Sequence, residues 1–176
     1  MAGADAVLRS RLRDVPDFPK PGIMFKDLTP LLADAAAWKT VCDALAEPFL
    51  GNEKIARVCG IESRGFLYGI ALAERLGVGF VPVRKPGKLP AKKIRETYAL
   101  EYGEDALEMH ADALEPGTEV LVCDDLLATG GTAAAACRLV EKLGARVHAC
   151  AFAVELGFLK GRGKLAGRKI VSLVTY

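Results

Sequence analysis

The stretch whose reading decides the fold is VLVCDDLLATGGTAAAACRLVEKLG, Val120 to Gly144. An apolar run meets two adjacent acids, passes through Ala-Thr-Gly-Gly-Thr, and only then takes on helical spacing. A short apolar run bounded by turn signals reads as a strand covered on both faces, as in a parallel sheet. Parallel sheets gather ligands at the carboxyl ends of their strands, so the loop from Asp124 onward lies where a site is expected. Thr129, Gly130, Gly131 and Thr132 then lead into the helix. Unpaired backbone N–H groups and the positive end of the helix dipole attract an anion there. Glycine lets the backbone come close and each threonine adds a hydroxyl donor, which together cradle one phosphate. A Walker A loop needs G-K-[ST] after its spacer and a dinucleotide loop needs G-x-G-x-x-G, and this loop has neither. Asp124 and Asp125 repel phosphate but accept hydrogen bonds from ribose hydroxyls. The loop therefore describes a ribose 5-phosphate. The plainer alternative, an N-capped helix after an acidic turn, accounts for Thr129 or Thr132 but not for the two acids together.

The rest of the chain sets the frame. With 176 residues, 51% hydrophobic and 26% charged, it is long enough for one substantial core and short for two ordinary domains. Twenty-four basic and 22 acidic residues leave a net charge of +2, which lacks the polyelectrolyte character of a nucleic-acid binder. Phosphate binding is then expected to be local. Cys42, Cys59, Cys123, Cys137 and Cys150 are scattered, without a C-x-x-C pair, and the two histidines are too few to complete a metal site with them. These features fit a reducing, cytoplasmic setting with the thiols as small core residues. No apolar run approaches the ~20 residues that cross a bilayer, so no membrane association is expected. Arg9, Arg11 and Arg13 hint at a transit peptide, but Asp5 and Asp14 argue against one.

Hydrophobic spacing predicts an amphipathic helix over 4–14. An extended, irregular path follows through VPDFPKPGIMF, where prolines forbid a regular element. A helix is expected over 35–49, a strand over 55–61, the turn ESRG, a helix over 66–76 and a strand over 78–84. The basic, Pro- and Gly-rich segment 85–105 reads as an excursion, with YALEY and LEMHA as hairpin limbs. Strands over 118–123 and 146–154 flank the helix AAAACRLVEKL, and KIVSLVTY is the last strand. Alternation of strands and helices predicts an α/β fold, its mainly parallel central sheet flanked by helices.

The opening stretch resembles the PRPP (phosphoribosyl diphosphate) motif of the type I phosphoribosyltransferases, and DDLLATGGT in particular is similar to the adenine phosphoribosyltransferases. The similarity runs almost end to end, through DFPKPGIMFKDLTPLL, GIESRGFLYG, RKPGKLP, YALEYG, DALEPG and VELGFLKGRGKL. It implies a single type I phosphoribosyltransferase domain. Residues 1–33 would form an N-terminal helix and base-binding hood, and 34–176 the core, with a mobile catalytic loop at about 90–110.

Residue by residue, the resemblance implies that Asp124, Asp125, Ala128, Thr129, Gly130, Gly131 and Thr132 hold the ribose phosphate. Glu62, Ser63, Arg64 and Gly65 would hold the diphosphate, often through a cis peptide, here Glu62–Ser63. Arg84, Lys85 and Lys88 add positive charge, and Arg84 would reach the neighbouring subunit's site in a homodimer. For Lys92 and Lys93, where the family pattern is silent, the plainer alternative is a solvated basic loop. Glu101 would act as acid or base at the N7 side of the purine, while Tyr102 helps the loop close and exclude water. Met24, Phe25 and Lys26 would present the base-reading loop, with Leu156 as an apolar wall. Lys26 stands where the family frequently has arginine, which leaves a backbone role more secure than a side-chain one. The implied substrates are adenine and PRPP, the products AMP and diphosphate, and the cofactor Mg²⁺, held mainly by PRPP and water with no direct protein ligand. A 6-oxopurine phosphoribosyltransferase is the nearest alternative. A non-catalytic PRPP-binding regulator is another, disfavoured by the presence of Glu101 and Arg64.

Overall fold

The computed structural model of the chain describes residues 2–18, 20–99 and 103–176. Helix α1 (Ala2–Ser10) buries Leu8 and ends earlier than the helix expected over 4–14, because Arg13–Pro16 is a strand, β1. It pairs antiparallel with β2 (Met24–Asp27), Arg13 opposite Asp27 and Pro16 opposite Met24. The expected irregular path is thus a hairpin: Pro16 ends its strand and Pro21 lies in the turn, where the missing N–H costs no ladder bond. A short helix α2 (Thr29–Leu32) leads to α3 (Ala35–Ala46), whose N-cap Asp34 accepts from the N–H groups of Ala36 and Ala37. A 3₁₀ turn, Glu47–Phe49, completes the expected 35–49 segment.

Strand β3 (Ile55–Ile61), helix α4 (Arg64–Leu76) and strand β4 (Gly79–Val83) then follow the sequence reading closely. The excursion becomes an antiparallel hairpin of β5 (Lys93–Ala99) and β6 (Glu104–His110). Its first limb starts earlier than YALEY. Ile94, Glu96 and Tyr98 face inward while Lys93, Arg95 and Thr97 are exposed, the period-two pattern of a half-buried strand. Strand β7 (Glu119–Leu127), helix α5 (Gly131–Lys142), strand β8 (Arg146–Glu155), two 3₁₀ turns (Gly157–Leu159 and Gly161–Leu165) and strand β9 (Ile170–Thr175) complete the chain.

The central sheet is five-stranded and parallel, in the order β4-β3-β7-β8-β9. Its apolar strands alternate between two cores. Cys59, Val120, Val122, Cys150 and Phe152 pack on one face with α5 and the β5–β6 hairpin. Val58, Leu121, Cys123, Ala149 and Ala151 pack on the other with α1, α3 and α4. Continuous apolar strands are required because helices remove both faces from water. Leu8, Leu28 and Leu31 belong to that second core, so the N-terminal segment is tied to it.

Helix α4 lies against β3 through glycine. A Cβ on Gly69 would stand 2.8 Å from the Phe80 ring and 3.2 Å from the Cα of Gly60. Gly69→Ala is therefore expected to cost about 1–3 kcal/mol by overpacking. Urea unfolding should show a lower midpoint with an unchanged m value.

Candidate active site

Strands β3 and β7 are neighbours, yet β3 connects outward to β4 on one side and β7 to β8 on the other. The carboxyl ends of these two strands flank the switch point where α/β sheets open a crevice. Both following helices start there without a side-chain cap: α5 from Gly130 and α4 from Ser63. Neither Thr129 nor Thr132 caps α5, so its first N–H groups are left for an anion. A cavity of about 70 Å³ sits against them, lined by Asp124, Leu127, Ala128, Thr129, Gly130 and Thr132.

The two acids differ from the sequence reading. Asp124 and Asp125 lie within β7, Asp124 in register with Phe152 of β8, and the strand continues to Leu127. The expected loop placement fails because Leu126 and Leu127 prolong the apolar ladder beyond the acids. Asp124 lines the cavity, and its Oδ1 accepts from the N–H of Asp125 at 2.9 Å. Withdrawal from solvent, reinforced by the charge of Asp125, pushes the Asp124 carboxyl well above the ordinary carboxylate range. Asp125 is only 4% exposed and is ion-paired to Nε of Arg64. Its carboxylate serves the arginine, and Asp124 is the acid that faces the cavity.

The ESRG turn lies beside them. The Glu62–Ser63 peptide is cis. Gly65 presses α4 onto β7: a Cβ there would come within 2.7 Å of the Asp124 Oδ1. Glu62 accepts from Nε and Nη2 of Arg84, both at 3.2 Å, and from the N–H of Lys85 at 2.8 Å. Burial opposes the charge of Glu62, but these donors outweigh it and hold the carboxyl below its usual value. Arg84 Nη1 also donates to the carbonyl of Lys88 at 3.2 Å, leaving the Lys88 side chain exposed. Lys85 is paired with Asp105 and donates to the Tyr98 hydroxyl at 2.9 Å, which ties the β5–β6 hairpin to the end of β4. Lys92 and Lys93 are exposed on the far limb of that excursion.

On the base side, the edge of Phe25 meets Phe18 at 5.1 Å between ring centroids, and the Arg64 guanidinium lies 5.9 Å from the Phe25 ring. Arg64 thus lies between the N-terminal hairpin and Asp125 of β7. Met24 is 49% exposed beside it. The Lys26 ammonium is held by Asp14 at 2.6 Å and lies 4.2 Å above the Tyr176 ring. Leu156 donates its N–H to the carbonyl of Leu127 at 2.9 Å, which sets it beside the start of the 128–131 loop. Glu101 and Tyr102 lie outside the described residues. Ala99, at the end of β5, places its carbonyl beside Gly131.

A phosphoribosyl transferase domain model matches residues 31–173. The adenine phosphoribosyltransferase of Methylococcus capsulatus is 57% identical over 169 residues, 96% of this chain and 98% of that protein. The chain belongs to the adenine phosphoribosyltransferase family. Solved structures agree. That of the family member from Thermoanaerobacter pseudethanolicus superposes with a TM-score of 0.93 at 51% identity, over 96% of this chain and 98% of that one. The Saccharomyces cerevisiae member, complexed with adenine and an imino-altritol bisphosphate, gives 0.92 at 44% identity over 98% and 99%.

One contact at the phosphate loop of this family member escaped the sequence reading. Gly130, at φ +78, would place a Cβ 2.3 Å from the carbonyl oxygen of Gly161, and one on Gly161 would meet that of Ala128 at 2.2 Å. The two backbones touch. The only signal was G-R-G inside VELGFLKGRGKL, which no local rule ties to a loop some thirty residues earlier.

The raised Asp124 carboxyl makes a signed prediction. The native state holds its proton more tightly than the unfolded chain, so stability falls as pH rises from the ordinary carboxylate range through the native pKa. Asp124→Asn removes that loss. Without ligand, the variant should be more stable than the parent at neutral pH, by roughly 0.5–2 kcal/mol, the usual gain on relieving a strained functional position. The gain should vanish below about pH 4. Thermal unfolding across pH reads the first effect, and calorimetry should show weaker binding of ribose 5-phosphate.

Proposed function

We propose that the protein transfers the phosphoribosyl group of PRPP to adenine, giving AMP and diphosphate in purine salvage. The observation that supports this reading is the convergence of two helix N-termini without side-chain caps on Asp124, which lines the cavity at the start of α5 and lies against Gly65 at the start of α4. The α5 N-terminus and the hydroxyls of Thr129 and Thr132 receive the 5-phosphate. Asp124 accepts from the ribose hydroxyls. The ESRG turn and Arg64 receive the diphosphate, while Nε of Arg64 stays on Asp125.

Departure of diphosphate develops positive charge at C1′, shared with the ring oxygen, so electrostatics matter more than a strong nucleophile. Arg64 and the helix N-termini stabilise the leaving charge. Glu101, which follows closely on Ala99 at the edge of the phosphate loop, moves a proton at the N7 side of the base, and Tyr102 excludes water. Among the described residues no cluster of three or more His, Cys, Asp or Glu could hold a metal, and Asp124 is the one carboxylate lining the cavity. Mg²⁺ would be held mainly by PRPP and water, and when bound it would neutralise charge on the diphosphate. The five cysteines are free and buried, which fits a reducing cytoplasm. A homodimer in which Arg84 exchanges Glu62 for the partner's diphosphate completes the reading.

AMP formation from adenine and PRPP tests it directly. Activity should appear with Mg²⁺ and collapse when the metal is chelated, and hypoxanthine should compete poorly. A protein that binds PRPP but yields no AMP would overturn the reading.

Base choice supplies a second prediction. The Lys26 side chain is occupied by Asp14 and the Tyr176 ring, so backbone groups of the 23–27 segment read the purine edge. A carbonyl at C6 would then set acceptor against acceptor, a mismatch that can reject an analogue by roughly 10,000-fold. Lys26→Ala should keep the parent's ratio of kcat/KM for adenine over hypoxanthine. A collapsed ratio would assign the reading to the lysine side chain.

A further inference from the structure

We infer that Arg162, paired to Glu155, is a positioning residue for the phosphate loop, acting through Gly161 on Ala128 and Gly130. The inference rests on the functional reading above and adds a residue to it.

Glu155 is the last residue of β8, in register with Leu127, and is 4% exposed. A carboxylate this deep needs partners. Arg162 supplies them in a two-point fork: Nε donates to Oε1 at 2.6 Å and Nη2 to Oε2 at 2.7 Å. Ser172 on β9 donates its hydroxyl to the same Oε2 at 2.7 Å and accepts from Nη2 at 3.1 Å. Chiefly through the arginine's hydrogen bonds, the Glu155 carboxyl is held below its usual value, so the pair stays charged at neutral pH. Nothing in the proposed chemistry uses these charges.

Their effect lies one residue earlier. Lys160 takes a left-handed backbone, φ +53, at the joint between the two 3₁₀ turns. That reversal, which a non-glycine residue adopts only under constraint, lays Gly161 across the phosphate loop. A Cβ on Gly161 would stand 2.2 Å from the carbonyl oxygen of Ala128 and 3.1 Å from the N of Gly130. The loop thus has a second wall that it does not build itself. The fork on Glu155 fixes the height of that wall by anchoring the next residue to the sheet. Leu156, the proposed base wall, is held separately. Its N–H bonds the carbonyl of Leu127, and the N–H of Gly157 bonds the carbonyl of Tyr176 at 2.8 Å. Loosening Arg162 should therefore disturb phosphate binding and spare the base.

The test measures calorimetric affinity for ribose 5-phosphate, the KM values for PRPP and adenine, and thermal stability in Arg162→Ala and Gly161→Ala. Both variants should lose about 10- to 100-fold in ribose 5-phosphate affinity and raise the KM for PRPP, with the KM for adenine nearly unchanged. Added guanidinium should restore Arg162→Ala in part and leave Gly161→Ala untouched. Unchanged ribose 5-phosphate affinity in a folded Arg162→Ala overturns the inference. So does a joint rise of both KM values in step with lost stability, the mark of a merely structural ion pair. If Arg162→Ala does not fold, Gly161→Ala decides, and unchanged affinity there overturns it equally. A parent protein with no affinity for ribose 5-phosphate would instead overturn the functional reading, and this inference with it.

Discussion

Strands β3 and β7 lie side by side in parallel register, and their chains leave the sheet in opposite directions. The rest of the molecule depends on that constraint. Two helices must start at the same edge, and neither start is capped by a side chain. The ion pair between Arg64, first residue of α4, and Asp125, near the end of β7, locks the two starts together. Because Arg64 also approaches Phe25, the same side chain sets the N-terminal hairpin over the crevice.

Charge at this edge is balanced before any ligand arrives. Arg64 is taken by Asp125, Arg84 by Glu62 and Lys85 by Asp105. A phosphate-rich ligand competes with carboxylates already in place, which moderates the attraction of so many cations and makes it selective for a ligand that reaches several at once. Asp124 is the exception. Its carboxyl lines the cavity, where burial and the charge of Asp125 raise its pKa.

The fold also resists change through close contact. Gly69 on Phe80, Gly65 on Asp124 and Gly161 on Ala128 each bring backbone where a side chain would collide. Two are in or against candidate site loops, so packing and chemistry draw on the same residues. The β5–β6 hairpin is held to α5 by Glu96, which pairs with Arg138 and Lys142. This keeps Ala99, the last residue of β5, beside Gly131 at the start of α5.

Much of this was legible in the sequence. The parallel sheet followed from apolar runs alternating with helical periods, and the start of a helix at the end of β7 from ATGGT after an apolar run. Local chemistry determines such features, since turn residues and hydrophobic spacing act within a few positions of themselves. The β1–β2 hairpin was hidden by its prolines, whose harmlessness depends on which backbone groups the partner strand leaves unpaired. The division of labour between Asp124 and Asp125 was hidden as well: the two are adjacent and identical in type, and only the approach of Arg64 from α4 tells them apart. The Glu155–Arg162 fork and the contact of Gly161 with the phosphate loop were likewise decided by tertiary structure. Each joins segments that no sequence period relates, and the energy of burying a charge or touching a backbone is set by what the fold brings alongside.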